Sequence, residues 1–182
     1  MKSIATSLVF SLGLLAMAGV QAEPVPVAVV KKQIEAITPG SVVTCTTTST
    51  GAASCKADGW RADVAGCGEG AEYGAVTNKA GVDLHAGLNG KGAVTAHLQK
   101  GQFVCVAASA HQGEDNQRFI VAVATSSVAD CKGKDLCRNA DHPIQWKAAQ
   151  PKATCNAARG DYAACAAGWV SLDDVDSYSN GL

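Results

Sequence analysis

The sequence predicts an all-β protein, a small barrel or sandwich that disulfides help to hold together. Short segments of alternating apolar residues are separated by glycine-rich turns, which is the pattern of successive short strands. No long amphipathic helical pattern occurs, which disfavours all-α and parallel α/β folds. Aromatic residues make up only 5% of the chain, but there are 8 cysteines, so covalent bridges are expected to support a modest core.

The segment 1–22 has the features of a cleavable signal peptide. Lys2 gives a basic start, the apolar run SLVFSLGLLAMAGV follows, and Val20-Gln21-Ala22 forms a small-residue cleavage site. We therefore expect cleavage after Ala22 and a periplasmic or secreted protein. The apolar run is shorter than the roughly 20 residues of a spanning helix, and no second one follows, so we expect no membrane span in the mature chain.

Charge and length limit the partners and the number of domains. The full chain has 15 basic and 16 acidic side chains, and cleavage would remove Lys2, so the mature chain is slightly acidic and nucleic acid is disfavoured as a ligand. The length of the mature chain suits one domain. We divide the chain into the signal peptide at 1–22, a lead-in and disulfide-clipped hairpin at 23–72, and a main domain at 73–182 with an insertion at about 125–166.

An even number of cysteines in an exported chain indicates disulfides. On the order of 100 connectivities are open to eight cysteines, so the sequence leaves the pairing undecided. Short loops favour three local pairs and leave two cysteines to join the N-terminal part to a central strand. These pairs are Cys45–Cys55, Cys131–Cys137, Cys155–Cys165 and, by remainder, Cys67–Cys105.

Metal binding and nucleophilic catalysis are the competing interpretations of these cysteines. No CxxC occurs, and no HxxxH or HExxH spacing would place two ligands on one face. A disulfide-bonded cysteine cannot act as a nucleophile. We therefore expect no metal site, no cofactor and no catalytic residue. The four histidines are His85, His97, His111 and His142.

The N-terminal part of the mature chain predicts a mobile lead-in followed by a hairpin. Residues 23–40 contain three prolines, and KKQIEAI has the length for one or two helical turns before Pro39-Gly40. SVVTCTTTSTGAASCKADGW then predicts two β arms around a Thr-Ser-Thr-Gly turn, with Cys45 and Cys55 placed to clip them.

From Gly74 onward, glycine-containing turns at regular intervals predict a series of strands. In 94–98, apolar residues alternate with others before the Lys100-Gly101 turn. After the turn, residues 103 and 105 are expected to face one side of a strand and residues 104 and 106 the other. Residues 119–124 are almost continuously apolar, as in a strand that is covered on both faces. The polar stretch SAHQGEDNQ between them predicts a hairpin tip.

Residues 125–166 break this pattern and predict a disulfide-stapled insertion. Two short cysteine-bounded stretches, CKGKDLC and CNAARGDYAAC, flank the loop RNADHPIQWKAAQPKA. The chain then closes with GWVSLDDVDSYSNGL, in which Trp169 and Val170 begin a short strand and SLDDVD has the length of one 3₁₀ turn.

Residues 82–106 resemble the bacterial SH3 (SH3b) family pattern. That family reads VNVRSG, then V-x-x-L-x-K-G, and here VDLHAG and the Lys100-Gly101 turn take those places. RFIVAV falls where the family has its W-x-x-V strand, and the GWV at 168–170 resembles its closing segment. The resemblance implies a small SH3-like barrel. Similarity between CKADGWRADV and CAAGWVSLDDV leaves open whether 23–72 is a second SH3-like unit or a chance match.

Three substitutions and one insertion depart from the family pattern. His85 stands where arginine is usual, Asp83 where asparagine is usual, and Phe119 where tryptophan is usual. The long stretch 124–167 also separates RFIVAV from GWV, where the family has a brief turn.

The resemblance implies an exported, non-catalytic module that binds peptidoglycan or an envelope protein. Tyr73, Phe119 and Trp169 are candidates for stacking on peptide or sugar, and His85 falls at a loop position that could contact a ligand. The alternatives are that Phe119 and Trp169 fill the core and that His85 is simply exposed to solvent.

A second hypothesis is a periplasmic inhibitor or immunity protein that blocks a cell-wall hydrolase. The loop between the two cysteine clips would then present His142, Ile144 and Trp146 to a partner at low entropic cost. The alternative for Trp146 is that it covers the edge of the barrel. A third hypothesis is a structural role in an envelope assembly, for which no residue argues specifically.

Overall fold

The structure of the chain, a computed structural model, describes residues 25–178. Within these residues the chain forms one α-helix, α1 (Val27–Ile37), and eleven strands joined in antiparallel pairs. The all-β prediction is therefore confirmed. The strands are β1 (Val43–Thr47), β2 (Ala53–Ala57), β3 (Trp60–Val64), β4 (Glu72–Val76), β5 (Val82–His85), β6 (Val94–Leu98), β7 (Phe103–Gln112), β8 (Asp115–Ala122), β9 (Gln145–Trp146), β10 (Ala167–Ser171) and β11 (Val175–Ser177).

The helix α1 replaces most of the mobile lead-in that we expected at 23–40. Val30, Ile34 and Ile37 recur at the spacing of one helix face. They pack into a hydrophobic cluster that also contains Trp60 and Trp169, which we call the first core. Ile34 and Ile37 are fully or almost fully buried there. Thr38 closes the helix by donating its hydroxyl to the Ile34 carbonyl at 2.7 Å. Burial of this apolar face holds the segment in place. The expected cleavage after Ala22 lies outside the described residues.

The hairpin predicted around the Thr-Ser-Thr-Gly turn is present as β1 and β2. Cys45 lies directly opposite Cys55 in the ladder, so the disulfide crosses the two arms as the sequence suggests. The chain turns again into β3, which pairs with β7. The N-terminal hairpin is therefore part of the same sheet as the strands of the main domain.

β7 is the central strand of the fold. One of its edges pairs with β8, and the other pairs first with β4 and then with β3. A register shift between Val106 and Ala108 divides the strand at this change of partner. The shift changes which residues face each side of the strand. Val104 and Val106 pack into a separate hydrophobic cluster, which we call the second core, whereas Ala108 and Ala110 pack into the first core.

The strand order is β1-β2-β3-β7-β8-β10-β5-β6-β9, with β4 joining β7 to β11. Among the described strands, β1 and β9 each have one neighbour, so the sheet is open and a closed SH3-like barrel is not confirmed. β6 pairs with β5 and with β9 of the insertion rather than with β7, which follows it in the chain.

The strands β7, β8 and β10 are covered on both faces. Phe119 and Trp169 belong to the first core, together with α1 and Trp60 of β3. Ile120 of β8 and Val170 of β10 belong to the second core, on the other face. This double coverage explains the continuous apolar run that the sequence shows at 119–124.

A close approach between β10 and β5 requires the glycine of the GWV segment. An added Cβ at Gly168 would lie 2.8 Å from both the His85 carbonyl oxygen and the Leu84 Cβ. Backbone cannot yield as the end of a long side chain can, so this position excludes a larger residue. The glycine thus lets Trp169 lie directly opposite His85.

The structure contains the three disulfides that short loops favour and the remaining pair Cys67–Cys105, and none of the described cysteines is free. Cys67–Cys105 joins the loop after β3 to β7, and Cys131–Cys137 packs beside Phe103 in a third, smaller core. Four disulfides indicate an oxidising, exported compartment. Within residues 25–178, no helix has both the length and the apolar character needed to cross a membrane.

The loop between the two cysteine clips is tied to the sheet rather than projecting from it. The Asp141 carboxylate accepts hydrogen bonds from the Thr125 backbone N–H at 2.9 Å and from its hydroxyl at 2.7 Å. The His142 N–H donates to the buried side chain of Gln102 at 3.0 Å. Ile144 and Trp146 then pack against the second core. His142, Ile144 and Trp146 are each half-buried as a result, so only part of each side chain is accessible to a partner.

Candidate ligand-binding site

An apolar groove lies where the end of α1, β8 and the insertion meet. We call it the aromatic groove and define it by Phe119, Trp146 and Tyr162, with Pro39 and Pro151 at its sides. Its volume is about 380 Å³. Phe119 and Trp146 are two of the five ligand-binding residues predicted from the sequence, and the fold brings them together across long chain separations.

The floor of the aromatic groove is rigid because its rings are packed on one another. The Phe119 ring lies 5.5 Å from the Tyr162 ring, centroid to centroid, and 5.4 Å from the Trp169 ring, at interplanar angles of 56° and 64°. Trp169 is 1% exposed and Phe119 is 5% exposed. Phe119 and Trp169 therefore fill the core, which was the alternative to ligand stacking. The half-buried Trp146 and Tyr162 supply the ring faces that a ligand can reach.

Trp146 is positioned by pairing of its strand with β6. It lies opposite Ala96, and the next two N–H groups, of Lys147 and Ala148, donate to the Thr95 carbonyl. The indole thus packs against the second core and also lines the aromatic groove. Trp146 covers a sheet edge, as one alternative held, while part of its side chain remains accessible.

His85 does not lie at an exposed loop tip. It is the last residue of β5, sits opposite Trp169, and is half-buried. Its Nδ1 is buried and has no hydrogen-bond partner among the described residues. A register shift between Leu84 and His85 turns the strand at this point, so the neighbouring Ala86, rather than His85, lines the aromatic groove.

A second, larger groove contains Tyr73 and is separate from the first. We call it the tyrosine groove and define it by Tyr73 and Tyr178, with Glu69 and Asp130 at its margin. Its volume is about 970 Å³. Tyr73 stacks on the buried Phe103 ring, with centroids 5.4 Å apart and an interplanar angle of 16°, and Tyr178 lies 6.4 Å from the same ring.

The three tyrosines of the chain all border these grooves, and their environments favour the neutral phenol. Burial raises the pKa of Tyr73, and the Asp130 carboxylate raises it further. Burial also raises the pKa of Tyr178, with an added contribution from Asp176. For Tyr162, burial alone raises the pKa.

We expect an absorbance titration to show tyrosinate forming above the ordinary pKa of about 10. Because the folded-state values are raised, the tyrosines contribute stability that is fully present below about pH 10 and is lost as the pH rises through the folded-state pKa values. The free energy of unfolding should therefore fall above about pH 10. The same titration in denaturant is the control, and native tyrosines that ionise at or below the denatured midpoint would contradict the burial argument.

Both grooves offer aromatic faces to a ligand. The eight cysteines are all in disulfides and offer no thiolate. Among residues 25–178, no group of three or more His, Cys, Asp and Glu side chains is arranged to hold a metal ion. Apolar and aromatic side chains with a few polar groups are the usual lining of a ligand pocket.

Sequence reasoning missed Tyr162, Tyr178 and Asp130 as site residues. Tyr162 is the one aromatic residue of CNAARGDYAAC, and that isolation was the available signal. Tyr178 follows β11 and reaches the groove because its N–H donates to the Tyr73 carbonyl at 2.8 Å. No sequence pattern indicates this pairing, since the two tyrosines are far apart in the chain.

Compared with protein-family models, with curated proteins and with solved structures, the chain shows no match.

Proposed function

We propose that this chain is an exported, non-catalytic binding module of the SH3b type, periplasmic or secreted, which binds peptidoglycan or an envelope protein in the aromatic groove. The observation that carries the proposal is the pair of half-buried rings, Trp146 and Tyr162, above a fixed floor of Phe119. Aromatic faces of this kind bury apolar side chains or the C–H faces of sugars at little entropic cost.

The arrangement of the SH3b-like segments supports the family part of the proposal. The strands that carry them, β7, β8, β10, β5 and β6, are consecutive neighbours in the sheet. Each also contributes to the second core, with Val104, Ile120, Val170, Leu84 and Ala96 respectively. Segments that resemble one family in sequence thus share one packing unit.

The lining of the groove supports binding rather than catalysis. The side chains around it are mainly alanine, proline and aromatic residues, and its one ionisable carboxylate is that of Asp161. Asp161 is held locally, where its carboxylate accepts from the Ala163 N–H at 3.3 Å. A nucleophile with an adjacent base, which covalent catalysis needs, is not among these side chains.

Sedimentation of the oxidised chain with purified peptidoglycan tests the proposal. We expect saturable binding, and we expect Trp146→Ala to weaken it about tenfold, because aromatic anchors carry much of the energy of an interface. Trp146→Phe should retain most of the binding. Val42→Ala is the matched control, because Val42 is also an accessible apolar side chain, 73% exposed, but lies outside the groove.

Circular dichroism would establish that each variant is folded. If the chain fails to bind peptidoglycan, an envelope protein remains as the ligand, and capture from an envelope extract with the same variants identifies it. Equal capture by the wild-type chain and by a folded Trp146→Ala variant in both assays would rule out the aromatic groove as the site.

A second candidate function, inhibition of a cell-wall hydrolase, is favoured by the exposed Leu136. This residue lies in the short loop closed by Cys131–Cys137, between Lys134 and Arg138. A closed loop presents an apolar side chain with little loss of conformational entropy. Stoichiometric recovery of one hydrolase, lost with Leu136→Ala and retained with Trp146→Ala, would place inhibition ahead of wall binding.

A further inference from the structure

We propose that the tyrosine groove is a second binding site, which takes a lysine or arginine side chain from an extended segment of a partner polypeptide. This site is distinct from the aromatic groove, and the proposal does not rest on the function proposed above. Four observations carry it: the size and rigidity of the groove, the sign of its charge, its aromatic rings, and the charge of the neighbouring surface.

The groove has room for a long side chain together with the backbone on either side of it. Its volume of about 970 Å³ falls at the upper end of the range for ligand pockets. Two of its walls contain half-cystines, Cys67 and Cys155, whose disulfides fix the surrounding loops to β7 and to the start of β10. A pre-formed groove of this kind loses little conformational entropy on binding.

The charged side chains that line the groove are both acidic. Glu69 and Asp130 are exposed at its margin, and within the described residues neither forms an ion pair. No lysine, arginine or histidine is among the described lining residues, although the chain has 15 lysines and arginines. Electrostatic complementarity therefore favours a cation.

Two aromatic rings add a second attraction for the same ligand. Tyr73 and Tyr178 flank the buried Phe103 and are themselves half-buried, so each presents part of its ring to the groove. The negative face of an aromatic ring attracts lysine and arginine. Both phenols are neutral at physiological pH, and their raised pKa values extend that state to higher pH, so the rings act as neutral faces beside two carboxylates.

The neighbouring surface has the opposite charge and narrows the choice of ligand. A depression of about 570 Å³ adjoins the groove, shares Val128 and Ala129 with it, and is lined by Lys132 and Lys134 and by Arg138, whose guanidinium pairs with the Asp135 carboxylate at 2.6 Å. A run of basic residues would be repelled there, whereas an acidic residue beside the basic one would be attracted. We therefore assign the site to a segment in which a single basic residue has an acidic neighbour.

A titration followed by amide chemical shifts tests this assignment on the full oxidised chain. The probes are capped pentapeptides that differ only at the central residue, which is lysine or its uncharged isostere norleucine. We expect saturable shifts at 68–71 and 123–130 with the lysine peptide and roughly fivefold weaker binding of the norleucine peptide, because the charge supplies the attraction. A glutamate beside the lysine should strengthen binding, and a second lysine should weaken it.

Two variants with the same change in net charge locate the site. Asp130→Asn should weaken binding of the lysine peptide about fivefold. Asp115→Asn, at the start of β8 and outside the groove, should leave it unchanged. Trp146→Ala should also leave binding of the lysine peptide unchanged. The proposal for the aromatic groove and the proposal for this site can therefore fail independently of each other.

The proposal is overturned if norleucine and lysine peptides bind equally, if the shifts map elsewhere, or if Asp130→Asn and Asp115→Asn have equal effects. Tighter binding of the peptide with two lysines would reduce the interaction to general attraction of positive charge and would likewise overturn it.

Discussion

Trp169→Ala is expected to lower the free energy of unfolding by about 4 kcal/mol. The side chain is 1% exposed and packs edge-on against Phe119, so its removal leaves a cavity in the first core. Its indole N–H also donates to the Ile37 carbonyl at 2.6 Å, which fastens the end of α1 to β10. Urea denaturation followed by circular dichroism measures the loss.

Two variants separate the parts of this effect. Trp169→Phe keeps most of the packing but removes the N–H, so we expect a loss of about 1–2 kcal/mol. Trp146→Ala removes an indole that is only half-buried, and its cost should be well below that of Trp169→Ala. If both tryptophan-to-alanine changes cost the same, Trp169 would not anchor the helix as the hydrogen bond indicates.

Replacement of both Cys67 and Cys105 by alanine is expected to cost about 4 kcal/mol. The two residues are 38 positions apart, so their bridge restricts the unfolded chain more than any other disulfide of the protein. Cys105 is also fully buried in the first core, so the loss of its sulfur adds a packing cost. The free energy of unfolding of the oxidised double variant measures the effect.

The pair Cys131 and Cys137 gives the matched comparison. These residues are only 6 positions apart, so the same double replacement should cost about 2 kcal/mol. The difference between the two double variants reflects mainly loop length and burial. Equal costs would show that restriction of the unfolded chain does not dominate, and that local packing of each bridge does.

Most of the strands could be predicted because their signals are local. The hairpin of β1 and β2, the alternation in β6 and β7, and the doubly covered β8 all follow from residues within one segment. Three of the four disulfide pairs close short loops for the same reason, and the fourth, Cys67–Cys105, followed by remainder. The length of helix α1 was underestimated because its valines and the neighbouring prolines favour extended backbone. Burial of Ile34 and Ile37 in the first core stabilises the helix instead.

The open sheet and the shape of the grooves could not be predicted, since both depend on contacts between distant residues. β9 is two residues long and is a strand only because β6 lies beside it. Trp169 and Ile37 are 132 positions apart, yet their hydrogen bond places α1 beside the aromatic groove. The sequence therefore supplied Phe119 and Trp146 as candidates but could not show that Tyr162 completes their groove.

The change of partner along β7 joins two parts of the fold in one sheet. Its first half pairs with β4 and its second half with β3, so a single backbone segment holds the N-terminal hairpin and the β4–β11 pair together. Neither part can detach without breaking hydrogen bonds to the same strand.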